Sequence, residues 1–310
     1  MFRSLLNGRR TGKRNLKTGL GVEQLADRLV PATFSFDGAT NTAFVTGELF
    51  GSDAITILHH GDGTVTASDE LGNTRNFAGV DRIVVKTHGG SDVVRYKLDG
   101  TLTRDMRIDV DLDEVLEEVA NSGNDRFTGT LNADISNFNR LEVNVYGGYG
   151  DDLITMYGTP TAPARAGDSL TDGLAINDNG LRIGVGSELD LALRGGLGND
   201  RIFADYQGEL DGLLNLEANG QEGDDVVSAV VRLQAGSTGQ VGTSTTPARV
   251  TGFWGTDSLR FHVFDNSGNG RPVFAQINGG EDPFVSLETD VGSRTANVAH
   301  AGGVEDLDTL

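Results

Sequence analysis

At 310 residues the chain has room for one large or two ordinary domains and a sizeable core. Forty-four glycines against six prolines, with 37% hydrophobic residues, point to many tight turns rather than to disorder, and the lack of cysteine excludes disulfides, thiol catalysis and thiolate metal sites. The net charge of −20 is uneven: residues 1–30 carry seven Arg/Lys against Glu23 and Asp27, a net +5, which leaves about −25 on the remainder. Such a body repels nucleic acid and anionic membranes and favours cations or basic partners, and no apolar run approaches the ~20 residues of a membrane span.

Residues 1–33 read as a basic export-like or targeting-like segment and residues 34–310 as the body. Arg9-Arg10 superficially suggests a twin-arginine signal, but the following TGKRNLKTG supplies no apolar core. In GVEQLADRLVPAT (21–33), Val22, Leu25 and Leu29 fall at helical spacing and Pro31 ends the run. With Glu23, Leu25, Arg28, Pro31 and Ala32 in place, this stretch resembles the "LExLExRxxPA" motif near the start of many planctomycete extracellular proteins. The resemblance implies export and an extracellular or cell-surface location.

From Phe34 onward, apolar residues alternate between glycine turns. A short core (glycine, any residue, aspartate, any residue, a large apolar residue) begins at Gly51, Gly79, Gly90, Gly123, Gly150, Gly198, Gly223, Gly255 and Gly280. Successive intervals are 28, 11, 33, 27, 48, 25, 32 and 25 residues. The short interval implies that Gly79 opens a different edge, and the long one could hold two units with a degenerate copy between. Each better-preserved unit has a period-two strand before the turn and another after it, as in RLEVNVY–GGYGDD–LITMYG. Units of this length suggest stacked coils. The expected fold is therefore all-β, an irregular parallel β-helix or β-solenoid. An antiparallel sandwich or propeller of glycine-turn hairpins is the alternative, and strand pairing discriminates between them. Residues 114–120 read as a short helix or an insertion, and residues 158–180 as a loop. The terminal GVEDLDTL reads as a strand edge needing a cap or partner.

Two copies of the turn are fuller than the rest, GGYGDDLIT from Gly147 and GGLGNDRIF from Gly195. They resemble the RTX, or haemolysin-type calcium-binding, nonapeptide GGxGxDxUx. The resemblance implies Ca2+ between neighbouring coils, held by Asp152 and Asp200 and by the carbonyls of Gly147, Gly150, Gly195 and Gly198. The shorter copies place Asp92, Asp125 and Asp225 at the equivalent position. RTX sites form from tandem nonapeptides, whereas these full copies stand 48 residues apart. The plainer alternative is that each aspartate ties down its turn by accepting backbone amide bonds. Carboxylates stacked at a rung spacing of ~4.8 Å would repel by ~3–4 kcal/mol at an effective dielectric near 20, so a ladder of them gains from a bound cation.

Other motifs read more plainly. GDSLTDG (167–173) resembles the first block of GDSL esterases, with Ser169 as nucleophile, but no histidine has an aspartate three residues earlier. His59 and His60 point to opposite faces of a strand, which argues for packing or solvation over metal binding. Asp109, Asp111 and Asp113 read as a solvent-facing acidic stripe. Phe253 and Trp254 read as core packing before a carbohydrate platform. The expected function is structural or adhesive at the cell surface, with calcium, surface polysaccharide or other surface proteins as partners. A polysaccharide lyase on the same fold, using an arginine such as Arg95, Arg126 or Arg201, is the alternative.

Overall fold

A computed structural model describes residues 31–49, 51–113, 123–132, 134–157, 181–265, 273–279, 282–291 and 296–300. The described chain is all-β, and its strands form two large, mostly parallel sheets. The first sheet stacks β2 (Thr42–Thr46), β6 (Arg82–Lys86), β8 (Met106–Asp111), β10 (Arg140–Tyr149), β12 (Glu188–Leu197) and β14 (Leu213–Glu222) in that order. It continues through β16 (Gln240–Val241) and β17 (Ala248–Thr251) to β19 (Val273–Asn278) and β21 (Ala296–His300). The second stacks β3 (Ala54–His59), β7 (Val93–Asp99), β9 (Arg126–Asn132), β11 (Leu153–Tyr157), β13 (Arg201–Gly208), β15 (Val226–Leu233), β18 (Thr256–Asp265) and β20 (Asp282–Val291). Single parallel bridges Leu102–Ile135–Ile183–Leu210 make a third, narrow side.

From β6 onward consecutive strands alternate between sheets, save β16 and β17, which share the first, and pairing runs from coil to coil, which is the parallel β-helix rather than a stack of hairpins. Antiparallel pairing is confined, among the described residues, to one end. There β1 (Thr33–Asp37) covers β2, and β4 (Val65–Ser68) and β5 (Thr74–Phe77) extend the sheet beyond β3. A covered edge does not offer its amides to another chain.

The core follows from the period-two pattern. The apolar residue two places after each corner aspartate lies in one unbroken row, Ile55–Val94–Phe127–Ile154–Ile202–Val227–Leu259, at most 1% exposed throughout. The opposite sheet answers with Ile83–Ile108–Val143–Leu191–Leu216. Each such side chain contributes about 1.5–3 kcal/mol by leaving water.

Two expectations are refined. The 48-residue interval is one coil, not two, because β10 pairs directly with β12 and β11 with β13. Gly79 does open a different edge, since it precedes β6 of the first sheet rather than a strand of the second. Residues 1–30, 114–122, 158–180 (with Ser169) and 301–310 lie outside the described residues.

Candidate functional site

Where the chain passes from the first sheet to the second, seven aspartates stack one per coil: Asp53, Asp92, Asp125, Asp152, Asp200, Asp225 and Asp257. All are at most 2% exposed. Asp53 accepts the Glu48 N–H, and each of the six carboxylates after it accepts the backbone N–H of the aspartate one coil earlier. The donors run Asp53 to Asp92, Asp92 to Asp125, Asp125 to Asp152, Asp152 to Asp200, Asp200 to Asp225 and Asp225 to Asp257, at 2.7–3.1 Å. The carbonyls join in: Asp53, Asp92, Asp125, Asp152, Asp200 and Asp225 each accept the N–H of the residue that follows the next aspartate.

The residue before each aspartate builds a second ladder in the opposite sense. Here the later coil donates: Ser91 N–H to Ser52, Asn124 to Ser91, Asp151 to Asn124, Asn199 to Asp151, Asp224 to Asn199 and Thr256 to Asp224. A corner cannot continue the strand ladder, yet its buried amides need partners. Short polar side chains supply them from both neighbouring coils, which is why the turn needs Ser, Asn or Asp followed by Asp.

The glycines have steric reasons. A Cβ on Gly195 would fall inside the contact shell of Asp200 Oδ2 and 2.7 Å from the Gly220 carbonyl. Gly147 with Asp152, Gly220 with Asp225 and Gly252 with Asp257 repeat the arrangement. Two coils depart from it at this row: Thr87, whose hydroxyl donates to the Leu112 carbonyl at 2.7 Å, and Leu112 itself. Gly198, at φ +133, lies so close under the Gly150 carbonyl that only hydrogen fits.

One oxygen of each carboxylate is left over. Asp92, Asp125, Asp152, Asp200, Asp225 and Asp257 Oδ2, and Asp53 Oδ1, are buried and make no hydrogen bond. Burial raises the carboxyls, and the donated amide only partly offsets it: Asp92 and Asp152 rise to about 7, Asp125 and Asp200 to about 8, Asp53 and Asp225 to about 6. Neighbouring carboxylates push Asp125 and Asp200 further in the same direction. Burial likewise raises Asp257.

The sequence-predicted residues are therefore brought together, not as one pocket but as a column. The Gly195 carbonyl and Asp152 Oδ2 converge on the space beside Gly147, and the Gly220 carbonyl and Asp200 Oδ2 on that beside Gly195. These are hard oxygen donors of the type calcium takes. Among the described residues no three Asp, Glu or His side chains cluster closely enough to hold a metal alone, so a cation in the column needs carbonyls or water besides. The column stops short of the last corner: Asp282 pairs with Thr256, and Pro283 with Asp257, a shift of one residue.

Other candidates disperse. His59 is fully buried with Nδ1 3.0 Å from the Tyr96 hydroxyl, while His60 is exposed. The solvent-facing stripe at 109–113 is corrected. Asp109 is ion-paired with Arg82 and Arg107, hydrogen-bonded by Asn144 and held below the usual range, and Asp113 is buried where it accepts the Tyr149 N–H. Phe253 and Trp254 are 49% and 59% exposed, so they are not core residues. Arg95, Arg126 and Arg201 lie on the second sheet. The described acids and arginines meet instead on the first sheet, in an open groove of about 590 Å³ lined by Asn41, Asp81, Arg104, Arg107, Arg140 and Glu142.

No family model, curated protein or solved structure matches the chain.

Proposed function

We propose that the chain is a structural, adhesive solenoid displayed outside the cell, and that calcium is the counter-ion of its corner ladder. The observation that carries the reading is the column of seven buried aspartates whose second oxygens have no partner. Seven carboxylates at one rung apiece repel one another, by ~3–4 kcal/mol per neighbouring pair at an effective dielectric near 20. A cation that shares those oxygens turns that repulsion into attraction and holds the carboxylates ionised. The ligands would be Asp92, Asp125, Asp152, Asp200 and Asp225, with the carbonyls of Gly147, Gly150, Gly195 and Gly198. The RTX-like spacing of the two full turns supports this, and the amino-terminal motif supports export.

Thermal melting near neutral pH tests the calcium. At about a hundredfold excess over the dissociation constant, calcium adds ~2.7 kcal/mol, a rise of about 4 °C for a chain of this size. An unchanged transition between chelator and millimolar calcium removes the ion and leaves the ladder as a purely architectural device.

The groove on the first sheet favours a second reading, the polysaccharide lyase, because it joins acids with arginines. Its electrostatics oppose that reading. Hydrogen bonds to Asp109 and Asp190 raise the pKa of Arg107 and Arg140, so these guanidiniums hold their protons more tightly than a catalytic base should. Ultraviolet absorbance of an unsaturated uronate product on incubation with uronate polymers would reverse the order of the two readings.

A further inference from the structure

The corner that buries the aspartates also presents an outer edge, and that edge is aromatic. Register places Tyr149, Leu197, Glu222 and Trp254 in one column across four successive coils. Tyr149 is 41% and Trp254 59% exposed, with Phe253 beside it at 49%. These rings lie outside the buried core, and large apolar side chains left in water cost free energy. The column stands parallel to the solenoid axis, so its two end rings are three rungs, about 14 Å, apart.

A polar column flanks it two residues further along the chain. Asp151, Asn199 and Asp224 are exposed, and each is held in place by the amide it accepts from the next coil, at 2.8 Å. Flat rings and fixed carboxylate or amide groups, side by side at a constant rise, fit a polymer with apolar C–H faces and paired equatorial hydroxyls. The edge carries the acidic side chains Asp151, Glu222 and Asp224, and the body around them has a strong acidic excess. A polyanion is repelled there.

We propose that this edge is a binding platform for a neutral polysaccharide chain lying along the solenoid axis, with Tyr149 and Trp254 stacking on sugar rings and Asp151, Asn199 and Asp224 holding hydroxyls. The platform deepens the adhesive reading and rests on it, by naming what the surface adheres to, and it does not need the buried oxygens of the ladder.

Trp254 is the chain's one tryptophan, so intrinsic fluorescence reports the platform directly. The full chain is titrated with neutral oligosaccharides of increasing length from β-glucan, xylan and mannan, and with oligogalacturonate. A saturable change in emission is expected with a neutral series, tightening with length, and none with oligogalacturonate. Tyr149→Ala, at an exposed position, should weaken binding about tenfold without moving the melting transition. The proposal is overturned by no response to any neutral sugar, by a response indifferent to Tyr149→Ala, or by an equal response to oligogalacturonate. An emission that shifts with protein concentration alone also overturns it and gives the edge to a second copy. The titrations are run in calcium and in chelator. Loss of the sugar response beside an intact calcium effect on melting rejects the platform only, and the reverse rejects the calcium only.

Discussion

At the scale of single residues, the corner is a problem of space and partners. Gly195 is glycine because the Asp200 carboxylate occupies the volume a side chain would take. Gly195→Ala should therefore cost about 2 kcal/mol or more, in the range reserved for overpacked buried sites. Gly38→Ala, where the nearest atom is a Phe36 ring carbon at 3.8 Å, should stay within about 0.5 kcal/mol. Chemical denaturation of the two variants measures both, and equal losses would contradict the steric account. Asp152 separates its two oxygens by substitution. Asp152→Asn keeps an oxygen for the Asp125 N–H and removes the charge, while Asp152→Ala leaves that buried amide without a partner, a penalty of about 1–3 kcal/mol. The alanine variant should be the less stable of the two in chelator, as comparative melting would register.

At the scale of elements, the turns are joined as firmly as the strands. Each corner aspartate from Asp53 to Asp225 donates to the coil after it, and the residue before the aspartate, from Ser91 to Thr256, donates to the coil before it. Corner amides of Asp125, Asp152 and Asp200 should thus exchange with solvent as slowly as those of the flanking strands, and fast exchange at the corners alone would show the ladder to be weaker than drawn. Much of this was legible in the sequence. Period-two runs on either side of GxD gave the strands, and the apolar residue two places past the aspartate does point inward in the seven coils of the aspartate column; past Asp282 the register has slipped, and Phe284 pairs with Ser258 rather than with Leu259. The glycine–aspartate spacing of the corners was visible too. What was hidden is relational. The pairing of β10 with β12 spans an interval nearly twice the usual length, and no local signal says that this interval joins directly stacked strands. Two of the partners of Asp109, Arg82 and Asn144, come from neighbouring coils and could not be read from DMRIDVDLD, whereas Arg107 sits two residues earlier on the same strand. The exposure of Trp254 depends on its falling at the outer side of a corner, where a strand-like pattern gives no warning.

At the scale of the molecule, the ladder is a spine carrying more carboxylates than its surroundings can easily ionise. The sign of its pH dependence follows. Asp92, Asp125, Asp152 and Asp200 have folded values near 7 or 8, well above the ordinary 3.8. Between those values the folded state holds protons that the unfolded state has released, so stability falls as pH rises and levels off above about 8. Buried His59, lowered to about 4, works in the opposite direction up to its unfolded value of 6.5, which leaves the window from about 6.5 to 8 to the aspartates. Calcium, by replacing the protons, should flatten this slope. The most direct test is the melting temperature of the full chain across that window, once in chelator and once in millimolar calcium. The account predicts a transition that drops steadily with pH in chelator and a higher, nearly level one in calcium. Superimposable curves that both fall with pH would contradict the ion, and a chelator curve that does not fall would contradict the strained ladder itself.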